Sequence, residues 1–247
     1  MPRYFLEVSY KGDNYSGFQV QKNAVTIQSE IERAFNIFFR KQVSLTGSSR
    51  TDAGVHALQN FFHFDWEEEF RQINIYNINS ILPADIVIKS VRGVKADAHA
   101  RFSALEREYN YFVSFNKNPF MNDRAWFFPY QVNENLLHQA ATFIKENDNF
   151  MSFSKQHTQV KTFQCQIIKS NWTRKDDSLI YTVKANRFLR GMVRAMVSTM
   201  LQVGRENISI LEFKALLHRK LKASADFSAP AKGLFLTSIS FKEDIFL

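Results

Sequence analysis

The sequence predicts an α+β protein built from two related β-α-β-β-type halves, with a mostly antiparallel mixed sheet flanked by helices. Three observations lead there. Apolar residues alternate at period two in many short runs, helical periodicity interrupts those runs, and strands come in adjacent pairs between helices rather than singly. Strands paired in this way form antiparallel ladders more readily than a doubly wound parallel sheet. With 247 residues, 45% of them hydrophobic and 23% charged, the composition is that of a globular chain. A chain of this length buries roughly 73% of its unfolded surface and needs no staple.

The elements follow in order. Arg3 to Tyr10 alternates and reads as a strand. Thr26 is a candidate N-cap for a helix running to about Arg40, because Ile27, Ile31, Ala34, Phe35 and Phe38 share one helical face. Gln42 to Thr46 reads as a short strand, and a polar loop runs from Gly47 to about His56. Leu58 to Trp66 is a strand with Phe62, Phe64 and Trp66 on one side. A weaker helix covers about Phe70 to Leu82 and stops at Pro83, and Asp85 to Val94 is a further strand.

The second half repeats the style. Tyr109 to Phe115 is a strand, and Asn133 is a candidate cap for a helix to Lys145. Thr162 to Trp172 and Leu179 to Lys184 are strands that pair across Thr173–Ser178. Phe188 to Val203 is the most apolar helix, and Ser209 with Glu212 fits a capping box that opens another helix to about Arg219. Gly233 to Phe241 alternates as the last strand. The boundary falls near Ala100–Ala104, which gives halves of 1–104 and 105–247.

Lys and Arg number 32 and Asp and Glu 24, a net charge of +8. Residues 1–123 are balanced, so the excess lies in the second half, densest from Arg187 to Lys222. A concentrated basic surface suits a polyanionic partner, most often nucleic acid, and a solvated helix face is the plain alternative. The single cysteine, Cys165, excludes an internal disulfide and a cysteine-based metal site, which fits a reducing, cytoplasmic setting. The first residues lack the apolar core of a signal peptide, and no run of 18 apolar residues exists, so no membrane partner is expected. No GxGxxG or Walker A pattern is present, and His56, His63 and His99 lack metal-ligand spacing, so no metal is expected; that no redox or group-carrier cofactor is needed is what the resemblance described below implies.

The segment that carries chemistry is Gly47-Ser48-Ser49-Arg50-Thr51-Asp52-Ala53-Gly54-Val55-His56-Ala57, a polar loop between two apolar strands. It gathers a carboxylate, a guanidinium and several hydroxyls where reacting groups usually sit. By its residues alone it reads more readily as a turn in which Asp52 caps local N–H groups.

The string Arg50 to Ala57 resembles the central motif of the bacterial tRNA pseudouridine synthase A family. Tyr10-Lys11-Gly12-Asp13-Asn14-Tyr15-Ser16-Gly17-Phe18-Gln19 is similar to that family's N-terminal strand and loop. His99 to Ala104, Arg107 to Tyr111, Asn186 to Arg194 and Gly233 to Leu236 resemble its later signatures, in the same order. Ser49 stands where the family usually has Gly, and Lys11 where it usually has Asp.

The resemblance implies the pseudouridine synthase fold with an active-site cleft between the halves. It implies isomerisation of uridine to pseudouridine in the anticodon arm of tRNA, at positions 38, 39 and 40, by a homodimer. It assigns Asp52 as the catalytic nucleophile or base, Arg194 as its ion-pair partner, and Tyr109 as the ring against the target base. Arg50 would steady the flipped nucleotide and Leu236 would wall the uracil. Arg187, Arg190, Lys214 and Arg219 would meet phosphates, giving salt-sensitive binding. The alternatives are a non-catalytic structured-RNA-binding protein and a hydrolase that uses Asp52; a hydrolase would need a second convergent group, and no motif supplies one.

Overall fold

The structure, a computed structural model, describes residues 1–67, 70–155, 160–218 and 225–247. It holds two compact units, Met1–Glu106 with Phe235–Leu247, and Arg107–Leu234. The chain's last strand groups with the first unit, not with the half it follows in sequence.

In the first unit, strand β1 (Arg3–Tyr10) pairs antiparallel with β3 (His56–Asp65) on one side and β4 (Ile86–Val94) on the other. The other edge of β3 is shared. Strand β2 (Thr46–Gly47) pairs antiparallel at Phe62 and His63, and β9 (Leu234–Ser240) pairs in parallel at His56 and Ala57. Strand β2 is shorter than expected because helix side chains take the preceding backbone: Glu32 accepts the Leu45 N–H and Gln28 donates to the Leu45 carbonyl.

Helix α1 (Ile27–Phe39) starts where expected. The Thr26 hydroxyl accepts the Ser29 N–H and Ser29 reciprocates, a capping box closed by serine. Its buried face is Ile27, Ile31, Ala34 and Phe35. Phe35 meets Phe64, Trp66 and Phe70, an aromatic cluster with ring centroids 5.5–6.4 Å apart. Edge-to-face pairs of this kind add to simple burial. Helix α2 (Gln72–Ile81) ends before Pro83 and lies on β4, where the Asn79 amide satisfies both the N–H and the carbonyl of Ile88.

In the second unit, β5 (Glu106–Ser114), β8 (Ser178–Ala185) and β7 (Ile167–Lys175) form an antiparallel ladder, with the short β6 (Trp126–Phe127) parallel to β5. Residues 162–166 do not join β7. The Phe163 carbonyl accepts the Phe150 N–H, and the Cys165 N–H donates to the Asp148 carbonyl, so that stretch is held by the loop after α3 instead.

Helix α3 (Glu134–Glu146), capped by Asn133, packs on β7 and on α4 (Met192–Gly204). Helix α4 begins later than expected, after Gly191 turns the chain at φ 73°. Helix α5 (Ile210–Leu217) carries the expected Ser209–Glu212 capping box. The expected mixed, mostly antiparallel α+β architecture is what each unit shows. No helix among the described residues is long and apolar enough to cross a membrane.

One core group sets a pH dependence. His63 is buried on β3, and its Nδ1 accepts the Ala100 N–H at 3.2 Å. Burial, with His99 and Arg3 nearby, pushes its pKa from 6.5 down to about 4. Between those values the unfolded chain binds a proton that the folded chain does not. Stability is therefore fully present above about pH 6.5 and falls as the pH drops toward 4. Urea midpoints at about pH 7.5 and about pH 5 should show that fall, and His63→Gln should reduce it.

Candidate active site

Asp52 stands in the loop between β2 and β3, and the residues on either side of it are fixed. The Ser48 N–H donates to the Phe61 carbonyl at 2.8 Å. From Ser48, buried polar side chains run in a line to Thr51. Ser48 Oγ donates to Asn60 Oδ1 at 2.7 Å, Asn60 Nδ2 donates to the Tyr10 oxygen at 3.1 Å, and the Tyr10 and Thr51 hydroxyls share a hydrogen bond of 2.8 Å. All four residues are buried. Removing one strands its neighbours away from water, at roughly 1–3 kcal/mol per unsatisfied group.

On the other side of Asp52 the chain turns sharply. The Asp52 carbonyl accepts the Val55 N–H at 3.2 Å, with Gly54 at φ 77° in the left-handed region that glycine enters without cost. The segment after β1 braces this turn. Gly12 N–H donates to His56 Nδ1 at 3.1 Å, and Phe18 N–H donates to the Thr51 carbonyl at 3.2 Å. A Cβ on Gly12 would lie 2.1 Å from the Val55 carbonyl oxygen, so the position excludes any side chain. Asp85, just before β4, anchors the brace by accepting from the Tyr15 hydroxyl and from Asn14 Nδ2.

The result is a half-buried carboxylate on a loop with little freedom. Held geometry of this kind is what catalysis by a positioned group requires. Arg50, two residues earlier, is exposed. Leu236 is fully buried on β9 opposite Ala57, and its neighbour Phe235 stacks on His56 with centroids 4.5 Å apart.

The second unit carries the other candidates. Tyr109 lies on β5 opposite Val183, half-buried, with its ring edge-on to Phe188 at 5.1 Å. Arg194 is half-buried on a helix whose other side chains are mostly buried. Its Nε donates to the Ala229 carbonyl at 2.6 Å. Ala229 belongs to a strap, residues 225–233, laid along α4 and β5. The Asp226 N–H donates to Thr199 Oγ1 at 3.0 Å, and the Pro230 carbonyl accepts from the Tyr111 hydroxyl at 2.7 Å. Burial raises the Tyr111 pKa far above its usual range despite the Arg194 charge, so Tyr111 stays a neutral donor to the strap. Nε is thus committed to the strap, and a guanidinium carries further N–H donors on its two terminal nitrogens.

Arg187 is half-exposed just after β8, and Arg190 is exposed, with its carbonyl accepting the Lys155 N–H. Lys214 lies over the Phe143 ring at 3.7 Å, a cation–π contact that leaves the ammonium at the surface. Arg219 lies outside the described residues, as do Lys220 and Lys222. Sequence reasoning missed the buried line from Ser48 to Thr51 and the strap that holds Arg194. Asn60 was the available signal, a polar residue inside the apolar run from Leu58 to Trp66.

A family model described as tRNA pseudouridine synthase matches residues 147–242. A protein named tRNA pseudouridine synthase A from Azobacteroides pseudotrichonymphae genomovar. CFP2 is 40% identical over 247 residues, covering 100% of this chain and 99% of that protein. The protein of that name from Bacteroides thetaiotaomicron is 40% identical over 100% of this chain and 93% of its own length. The one from Staphylococcus aureus strain JH1 is 33% identical over 98% of this chain and 92% of its own.

Proposed function

This chain belongs to the tRNA pseudouridine synthase A family, and from that premise we propose that it isomerises uridines in the anticodon arm of tRNA, at positions 38, 39 and 40. The reaction itself, uridine to pseudouridine in tRNA, is that of the family. The N1–C1′ bond breaks, the uracil turns, C5 joins C1′, C5 loses its proton to solvent, and N1 gains one in its place. Nothing is oxidised and no group is imported, so the residues need only position, polarise and move protons. The observation that supports the reading is the Asp52 loop, whose chain is held on both sides of the carboxylate by hydrogen bonds of its neighbours.

Asp52 acts beside C1′ and C6 of the flipped uridine. Arg194 is its cation: a guanidinium cannot lose its proton, so it keeps a carboxylate ionised when the bound base displaces water. Tyr109 supplies a flat face for the uracil and a hydroxyl near C5. Arg50 fills the space that the extruded nucleotide leaves, offsetting a few kcal/mol of lost stacking. Leu236 is the apolar wall behind the base. Arg187, Arg190, Lys214 and Arg219 meet phosphates of the tRNA. The working form is a cytoplasmic homodimer, and a monomer by light scattering at micromolar concentration would contradict that part.

The test is to map pseudouridine in tRNA transcripts carrying a single uridine at 38, 39 or 40, or at a distant stem position. Conversion confined to the anticodon arm supports the reading; conversion elsewhere overturns its specificity. Arg194→Lys separates the ion-pair role from phosphate contact. A lysine keeps the charge but loses the bidentate fork. We expect turnover to drop about 10²-fold with tRNA affinity nearly unchanged. Equal losses in both would make Arg194 a phosphate contact.

A further inference from the structure

The segment from His99 to Ala104 has no part in the chemistry above, yet it is held at many points. His63 on β3 accepts the Ala100 N–H at 3.2 Å, and Arg3 donates to the Ala98 carbonyl at 3.0 Å. Arg3 is itself fixed by two hydrogen bonds to Asp65, at 2.7 and 2.8 Å. Within the turn, Ser103 Oγ accepts the His99 N–H at 3.0 Å and the Ser103 N–H donates to the His99 carbonyl at 2.9 Å. His99 Nδ1 accepts the N–H groups of Arg101 and Phe102 at 3.1 and 3.4 Å. A surface turn tied in this way has given up most of its freedom.

What the turn presents is an aromatic ring. Phe102 is 75% exposed. Its ring centroid lies 4.4 Å from that of His99, the two planes tilted by 42°, and the exposed Arg101 lies 5.6 Å from the Phe102 centroid. The core does not need this ring, and its outer face is in water. A rigid, open aromatic face beside a guanidinium is the chemistry that stacks an unpaired nucleobase and meets its phosphate. The charge favours RNA over an apolar protein surface as its occupant.

The position also matters. Strand β3 runs from the end of the Asp52 loop at His56 to His63 under the turn, roughly 23 Å at about 3.3 Å per residue. The nucleotide at Phe102 is therefore not the reacting one. Resting on the tRNA reading above, we propose that the Arg101–Phe102 turn is a second RNA contact, which stacks an unpaired base of the bound tRNA away from the site of isomerisation.

The test measures tRNA Kd by filter binding, and KM and kcat by tritium release from C5, for wild type, Phe102→Ala, Phe102→Trp and Arg101→Gln. At an exposed position, all three variants should keep the wild-type Tm. Phe102→Ala should raise Kd and KM about 5- to 150-fold, the range that one stacked base is worth, with kcat unchanged. Phe102→Trp should restore both. Arg101→Gln should lower the slope of log Kd against log salt by about one. Unchanged Kd and KM for Phe102→Ala would overturn the proposal. So would a loss of affinity that tracks a smaller assembly by sedimentation, since that would assign the ring to a contact between copies. Failure of the tRNA reading itself shows differently, as a wild-type protein that neither binds tRNA nor releases tritium.

Discussion

Asp52→Asn should abolish pseudouridine formation, lowering kcat by at least about 10³-fold, while tRNA affinity stays within about twofold of wild type. The amide has nearly the same size as the carboxylate but cannot ionise, attack a carbon or take a proton. The loop should survive the change. Its turn is closed by the main-chain carbonyl of residue 52 to the Val55 N–H, and the neighbouring Thr51 is held by Tyr10. A loss of turnover with intact binding therefore reports the carboxylate and not a collapsed loop. Single-turnover assays with filter binding on the same preparations measure both. A variant that keeps a tenth of the wild-type rate would remove Asp52 from its role.

The second large effect lies at a residue with no side chain. Gly12→Ala places a Cβ 2.1 Å from the Val55 carbonyl oxygen and 2.7 Å from its carbon. Both are backbone atoms, so neither rotates away as a side chain would. Either the brace or the Asp52 turn has to move. Forced shifts of this kind cost about 1–3 kcal/mol. They also break the alignment of the Gly12 N–H with His56 Nδ1. We expect a lower urea midpoint and, in the protein that remains folded, turnover reduced about 10-fold or more, since small misplacements of a reacting group are costly. Wild-type stability and turnover together would show that the brace does not fix the loop.

Much of this structure was legible where the signal is local. Thr26, Asn133 and Ser209 cap their helices as expected, because a cap needs only a side-chain oxygen and the next few backbone N–H groups. The misjudged ends have non-local causes. Strand β2 is short because α1 side chains occupy Leu45, and residues 162–166 leave β7 because residues 148–150 hold them. The last strand joins the first unit through its parallel pairing with His56 and Ala57, nearly 180 residues away in sequence.

The candidate site divides in the same way. The Asp52 loop stood out as a polar island between apolar strands. Its supports did not, since the Tyr10–Thr51 and Tyr10–Asn60 hydrogen bonds span 41 and 50 residues and depend on the β1–β3 register. The strap behind Arg194 was equally hidden, because the Nε–Ala229 contact joins residues 35 apart.

The most direct test of the central claim, that the pinned Asp52 loop drives uridine isomerisation in tRNA, is tritium release from tRNA carrying [5-³H]uridine. Wild type and Asp52→Asn would be compared at equal tRNA occupancy. Release by the wild type alone, in step with pseudouridine appearing in the anticodon arm, is the predicted result. Release by both proteins, or by neither while tRNA stays bound, would contradict it.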